Sequence, residues 1–380
     1  MNTKIHTRLP WKWLLALLAT MLLTACGGGG GGGDAGPVTS GGTTGGINSP
    51  GSPALLNVVS TSPADKATSV ALNAPIHVTF NVKVEPATII SPASAFTIKE
   101  FLNGTNVAGT VAMDAAGTTA IFTPAASLAA NTEYLGTVST AVKNADGSTL
   151  TRDYTWTFTT EPPAVNFTYP ASGGTAVAIN TKIAAAFNTD IDSATVSATS
   201  FVVSAPGGAA VPGTVVYDEE SRTALFAPSF NLTPSIIYTA TVTTDVKDSR
   251  GNALTSNASW TFTTDTQSDT VKPVVSDFSP GHEVTGVQVN SPIKVTFSEL
   301  MDPSTIDTGT FLISDDGGSH LSGRLVIDTA NGVATFFPTN MLPNTRYHMV
   351  VTAGTKDLAG NVLDTGIAAE FVSFFETGSH

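Results

Sequence analysis

Ala74-Pro-Ile-His-Val-Thr-Phe80 is written twice more, with changes, as Thr181-Lys-Ile-Ala-Ala-Ala-Phe187 and Ser291-Pro-Ile-Lys-Val-Thr-Phe297. In the first copy Ile76, Val78 and Phe80 alternate with His77 and Thr79. That period of two turns one face of a strand to a core and the other to water. Downstream, Gly109-Thr-Val-Ala-Met-Asp114 recurs as Gly213-Thr-Val-Val-Tyr-Asp218 and Gly323-Arg-Leu-Val-Ile-Asp328. Each is followed by a second matched stretch ending at Pro124, Pro228 or Pro338, which reads as two strands around a polar turn. Offsets between copies are a little over one hundred residues, too long for a solenoid turn and right for a duplicated domain.

The 380-residue chain therefore divides into three units, expected at 54–161, 162–266 and 267–380. Charged residues are 12% of the chain, with 35 Gly and 22 Pro, a composition of strands and turns. No window of twelve residues carries a capped helical stripe, and Ser91 to Phe96 allows one short turn at most. Seven or so strands in about 105 residues predict an all-β fold, a Greek-key β-sandwich in each unit. Tyr134, Tyr238 and Tyr347 correspond, a few residues after Leu128, Leu232 and Leu342, at the start of an alternating strand. That is the place of a tyrosine corner in immunoglobulin-like sandwiches. Trp156 and Trp260 alternate with Phe158 and Phe262 on the last strand and are expected in the core.

The units resemble bacterial Ig-like domains of the SbsA type. The resemblance rests on Ser62-Pro63 to Phe80, on Ser279-Pro280 to Phe297, and on the Asp-x-x-Gly-Asn turns Asp248-Ser-Arg-Gly-Asn252 and Asp357-Leu-Ala-Gly-Asn361. The first copy departs from the turn pattern with Asn144-Ala-Asp-Gly147, and the third lacks the closing Trp. The resemblance implies a surface-layer or secreted setting and tandem immunoglobulin-like sandwiches.

Residues 1–25 read as an export signal, with Lys4, Arg8 and Lys12 ahead of the apolar run Trp13 to Leu23. Such a run spans about 16 Å as a helix, roughly half a bilayer core. It ends in Leu23-Thr24-Ala25-Cys26, which resembles the lipobox of bacterial lipoproteins. That resemblance makes Cys26 the first mature residue and its lipidation site, and the membrane a partner through the lipid anchor. Several acyl chains hold where one would be marginal. Gly27 after Cys26 favours an outer-membrane address in the cell envelope, with a periplasmic or a surface-exposed orientation equally open. Residues 26–53, with seven consecutive glycines, have little to bury and are expected to be a flexible, disordered Gly-rich tether of about 30 Å root-mean-square span.

Chemistry is sparse by comparison. Seventeen Lys and Arg against thirty Asp and Glu give −13, which excludes a basic nucleic-acid footprint. A single cysteine excludes a disulfide framework or a cysteine-rich metal site. No nucleophile elbow, His-x-x-x-His or phosphate loop occurs, and His77, His282, His320, His348 and His380 are scattered. The expectation is no catalytic residues, no cofactor-binding residues, no metal ligands and no enzyme. Asp190, Asp192, Asp315, Asp316 and the Asp-x-x-Gly-Asn turns read as solvated turn carboxylates. Asp218 in Asp218-Glu219-Glu220 matches Asp114 and Asp328, as a turn-forming side chain would. The place left for calcium is the linker Asp265–Lys272, because calcium takes six to eight oxygens and no one segment supplies them.

The function expected is a non-catalytic, lipid-anchored surface stalk or interaction scaffold. Glu161-Pro-Pro163 is a short, stiff linker, and Asp265–Lys272 is expected to be the more mobile joint. The alternative is an adhesin that meets a protein, glycan or ice-associated surface through loops or strand edges.

Overall fold

The computed structural model describes residues 55–91, 94–366 and 370–379. The expected signal, tether and Cys26 lie outside the described residues. Within them every unit is a pair of sheets, and no helix is long and apolar enough to cross a membrane.

The first sandwich runs β1 (Val58–Ser62), β2 (Ala67–Val70), β3 (Ile76–Phe80), α1 (Pro86–Ile90), β4 (Phe96–Glu100), β5 (Gly109–Met113), β6 (Thr119–Pro124), β7 (Glu133–Val138) and β8 (Tyr154–Thr160). One sheet has the order β1-β3-β6-β5 and the other β2-β8-β7-β4. The chain enters on one sheet, turns at the cis peptide Ser62-Pro63 and joins the other, where β2 pairs parallel with β8. The short helix begins at Pro86, earlier than the Ser91 to Phe96 expectation. Proline at a first helical turn lacks only an N–H that has no intrahelical acceptor there.

The second sandwich repeats this plan with β9 (Val165–Tyr169), β10 (Gly174–Val177), β11 (Ile183–Phe187), β12 (Phe201–Ser204), β13 (Gly213–Asp218), β14 (Thr223–Pro228), β15 (Ile237–Val242) and β16 (Ala258–Thr264). The third has β17 (Val275–Ser279), β18 (Ile293–Phe297), β19 (Phe311–Asp315), β20 (Gly323–Asp328), β21 (Val333–Pro338), β22 (Arg346–Thr352) and β23 (Glu370–Glu376). Its counterpart of β2 and β10 shrinks to one parallel bridge, Val287 to Thr377.

Each sandwich has its own core, formed in the first by Ile76, Val78, Phe80, Phe96, Phe122 and Phe158 among others. Full burial of one such side chain is worth about 1.5–3 kcal/mol. The tyrosine corner is present three times: the Tyr134, Tyr238 and Tyr347 hydroxyls accept from the backbone N–H of Ala129, Thr233 and Leu342 at 2.8–2.9 Å. In the third copy Met341, 5% exposed, fills the place of Leu128 and Leu232, while Leu342 is exposed. A threonine completes each corner. Thr160, Thr264 and Thr377 donate to the carbonyls of Ala129, Thr233 and Leu342 at 2.6–2.7 Å and accept the N–H of Thr132, Ile236 and Thr345.

The strand pattern of the opening stretch holds in β3 and β18 and breaks in β11, where all five residues are buried. Ile183, Ala185 and Phe187 face the core of the second sandwich. Ala184 belongs to a separate cluster with Leu225 and Leu358, a residue of the third sandwich. The expected wet face is therefore covered, because alanines stand where the other copies carry His77 and Thr79 or Lys294 and Thr296.

Candidate functional site

Both joints between sandwiches are built on the Asp-x-x-Gly-Asn turn of the later one. Asp248 Oδ1 accepts the N–H groups of Arg250 and Asn252 at 3.0 and 2.8 Å, and Asn252 Nδ2 donates to Oδ2 at 2.9 Å. Asp357 does the same with Ala359 and Asn361, at 2.8 Å throughout. These aspartates are 2% and 1% exposed, so the expectation of solvated carboxylates fails for both. Bonds from their own turn replace the water they lose. Asn144 makes the matching turn with Asp146 and Ser148 N–H groups, since an amide oxygen serves as well as a carboxylate for two donors.

Fixed in this way, the turn presents its two variable residues outward. In the first joint Arg250 Nη2 donates to Glu100 Oε1 at 2.7 Å, and the Glu100 side chain is only 12% exposed. The Arg250 hydrogen bond holds the Glu100 carboxyl below its ordinary range. In the second joint Leu358 packs on Ala184 and Leu225, with Tyr169 and Leu300 at the margin. Its carbonyl accepts the Lys182 N–H at 2.8 Å. Lys182 Nζ forms an ion pair with the buried Asp302, and the Thr223 and Thr329 hydroxyls meet at 3.1 Å across the joint.

The linker after the second sandwich is tied into this joint. Asn180 accepts the Asp269 N–H at 2.8 Å and donates to the Asp269 carbonyl at 2.9 Å. Gln267 accepts from Ile179, and Ser268 from Asn231. The linker expected to be the more mobile joint is thus held by bonds from its polar side chains and carbonyls to the sandwich it leaves.

At the centre of the joint Asp269, Glu299 and Asp357 bring carboxylate oxygens within 4.8 Å of one another. Among the described residues this is the one group of three His, Cys, Asp or Glu so arranged. It lines a pocket of about 260 Å³ together with Tyr169, Thr181 and Ala359. Burial, then Asp357, then Asp269 push the Glu299 carboxyl from its ordinary 4.5 up to about 7. Burial also raises the Tyr169 hydroxyl. Asp269 belongs to the linker left open for calcium, but three carboxylates by themselves fall short of the six to eight oxygens calcium takes. What the arrangement does chemically is bind a proton near neutrality.

The other expected oxygen donors are elsewhere. Asp190 pairs with Arg222 at 2.6 Å, Asp192 caps the 3-10 turn Ser193–Thr195, Asp315 accepts from Ser319, and Asp316 meets His348 at 2.7 Å. Asp114, Asp218 and Asp328 each hold their hairpin turn through backbone N–H groups. Lys182, Glu299 and Asp302 lie in stretches matched between copies or to the family pattern, yet neither they nor Glu100 read as site residues in the sequence. Their signal was present in the replacement of strand polar residues by Ala184 and Ala186 and in the differing pairs inside the turns, Ser-Arg and Leu-Ala.

No curated protein matches the sequence. Among solved structures, CopC from Methylosinus trichosporium OB3b shares 20% identity over 28% of this chain and 94% of its own, with a TM-score of 0.23. Domains 1–6 of the surface layer protein SbsC share 14% over 86% of this chain, with a TM-score of 0.24; the chain spans 55% of that structure. Native alpha-2-macroglobulin from Escherichia coli, spanning domains MG0-NIE-MG1, shares 15% over 80% of this chain and 95% of its own, with a TM-score of 0.33. The bacterial Ig-like domain pattern matches residues 53–160, 159–264 and 269–377, so three sandwiches, three corners and three matched segments coincide, and the chain belongs to the bacterial Ig-like domain family.

Proposed function

We propose that this is a non-catalytic, lipid-anchored protein of the cell envelope whose three SbsA-type sandwiches form an interaction scaffold. The observation that supports this reading most is the joints. Each is made by a specific turn, and the second is sealed by apolar contact and an ion pair, so the sandwiches are held as a set. Such a body suits holding surfaces at a fixed relation more than performing chemistry. Cys26, after an apolar run, supplies the anchor, and the residues to Pro53 supply reach.

Metabolic labelling with palmitate tests the anchor: label is expected in the wild type and absent from Cys26→Ser. Protease shaving of whole cells tests the address. A protein that resists shaving but is cut after lysis faces the periplasm, and one cut on whole cells faces outward. A glycan array and an ice-recrystallisation assay are expected to be negative, and a hit in either would transfer the function to the adhesin reading.

A further inference from the structure

The sheet of the third sandwich has the order β17-β18-β21-β20, and among the described residues no other strand pairs along the far side of β20. Which backbone groups this edge offers follows from the ladder. Thr339 N–H donates to Ser322 O just beyond the β20–β21 register, and antiparallel ladders alternate bonded with non-bonded pairs. The bonded pairs are therefore Arg324 with Phe337, Val326 with Thr335 and Asp328 with Val333. Gly323, Leu325 and Ile327 turn their N–H and C=O groups outward. Pro338, which has no N–H, sits opposite Gly323 in a non-bonded pair, as this alternation requires.

All six residues of β20 line one wall of a cleft of about 1180 Å³. Strands β5 and β13 end their sheets in the same way, yet neither has its length on this wall. The second sandwich contributes Phe167 and the hairpin residues Glu219, Glu220, Ser221 and Arg222, and the first contributes its loop 125–127. The cations near the cleft are engaged: Arg222 with Asp190 at 2.6 Å, and Arg324 over the Phe337 ring at 5.0 Å from its centre. Glu219 and Glu220 are exposed and have no cationic partner among the described ion pairs. Arg324 keeps its charge over the ring, but Asp190, Glu219, Glu220 and Asp328 outnumber Arg222 and Arg324 along the lining, so the cleft joins an open strand edge to a net negative charge.

We infer that this cleft receives an extended segment of a protein partner carrying lysine or arginine, which adds to β20 as a further strand. Strand addition draws affinity from main-chain hydrogen bonds and specificity from side chains at alternate positions. Here the outward groups of Gly323, Leu325 and Ile327 supply the first, and Glu219 and Glu220 select the sign of the second. The inference stands apart from the anchoring proposal and survives its failure.

The test uses the purified full chain and a blocked seven-residue peptide alternating Val and Lys. Hydrogen exchange across residues 323–327 is expected to slow when the peptide is added. The same peptide N-methylated on alternate amides should not bind, and the Val/Glu analogue should bind at least about tenfold more weakly, the equivalent of one lost charge contact. Glu219→Lys with Glu220→Lys, both on an exposed hairpin, should weaken the Val/Lys peptide to a similar degree. Unchanged exchange across β20, or equal binding of the N-methylated or acidic peptides, overturns the inference. Protection of the same amides that grows with protein concentration alone also overturns it, because the edge then serves a second copy of the chain.

Discussion

Tyr238 carries two loads in one side chain. Its ring stacks on Phe262 at 5.7 Å, and its hydroxyl is the acceptor for the Thr233 N–H. Tyr238→Phe keeps the first and removes the second, leaving a backbone donor without its partner. A cost of about 1–3 kcal/mol in the second sandwich is expected, read from its transition in calorimetry or denaturant titration. Thr264→Val should add to this less than independently, since Thr264 binds the Thr233 carbonyl in the same corner. The corner was legible from sequence because a tyrosine at a fixed offset in three copies needs only local chain to act. The buried aspartates were not. Asp248 and Asp357 look like loop residues, yet Asn144, at the same place in the first sandwich, is buried as well, so the burial comes from how the turn folds back on its own backbone, which local pattern does not reveal.

At the scale of strands, the absent third tryptophan is compensated across the sheet. Trp156 pairs with Gly136, Trp260 with Ala240, and Ser373 with Met349. A Cβ on Gly136 would stand 2.4 Å from the Trp156 ring, so that glycine makes room for the indole. Met349, buried in the third core, occupies the corresponding space from the opposite strand. Met349→Gly alone should cost about 2–5 kcal/mol through the cavity it leaves, and Ser373→Trp alone about 1–3 through overpacking. Together they should cost clearly less than their sum, as thermal denaturation of the double variant would show. The Trp156 and Trp260 indole N–H groups meet no acceptor among the described residues and the rings pack in their cores, so Trp260→Phe should be much milder than Trp260→Ala. Strand positions and turns were readable here from period two and from Gly, Asn and Asp. The exchange of a large residue between paired strands was not, because it requires the register.

At the scale of the whole molecule, Ala184 decides whether the third sandwich can rest on the second. Its side chain points away from its own core, so Ala184→Lys, which copies Lys294, should leave the second sandwich folded while separating the two. A larger radius of gyration in solution scattering with unchanged far-UV dichroism is the expected result; an unchanged radius would show that the contact does not hold the joint. The same joint should respond to pH through Glu299. Its carboxyl is raised from an ordinary 4.5 to about 7 by burial and by Asp357 and Asp269, so between those values the folded joint binds a proton that the unfolded chain does not. Stability from this group is therefore greatest below pH 4.5, declines as pH rises towards 7, and is flat above it. Glu299→Gln mimics the protonated form. It should remove this decline and raise the melting temperature of the joined second and third sandwiches at pH 8, with little change at pH 5. Millimolar calcium against chelator should leave that temperature unmoved, because three carboxylates fall short of the six to eight oxygens calcium takes. A calcium-dependent rise in the wild type that Glu299→Gln abolishes would instead assign the cluster to a cation. The repeat that defined three units said nothing of this, since Asp269, Glu299 and Asp357 come together only where one unit meets the next.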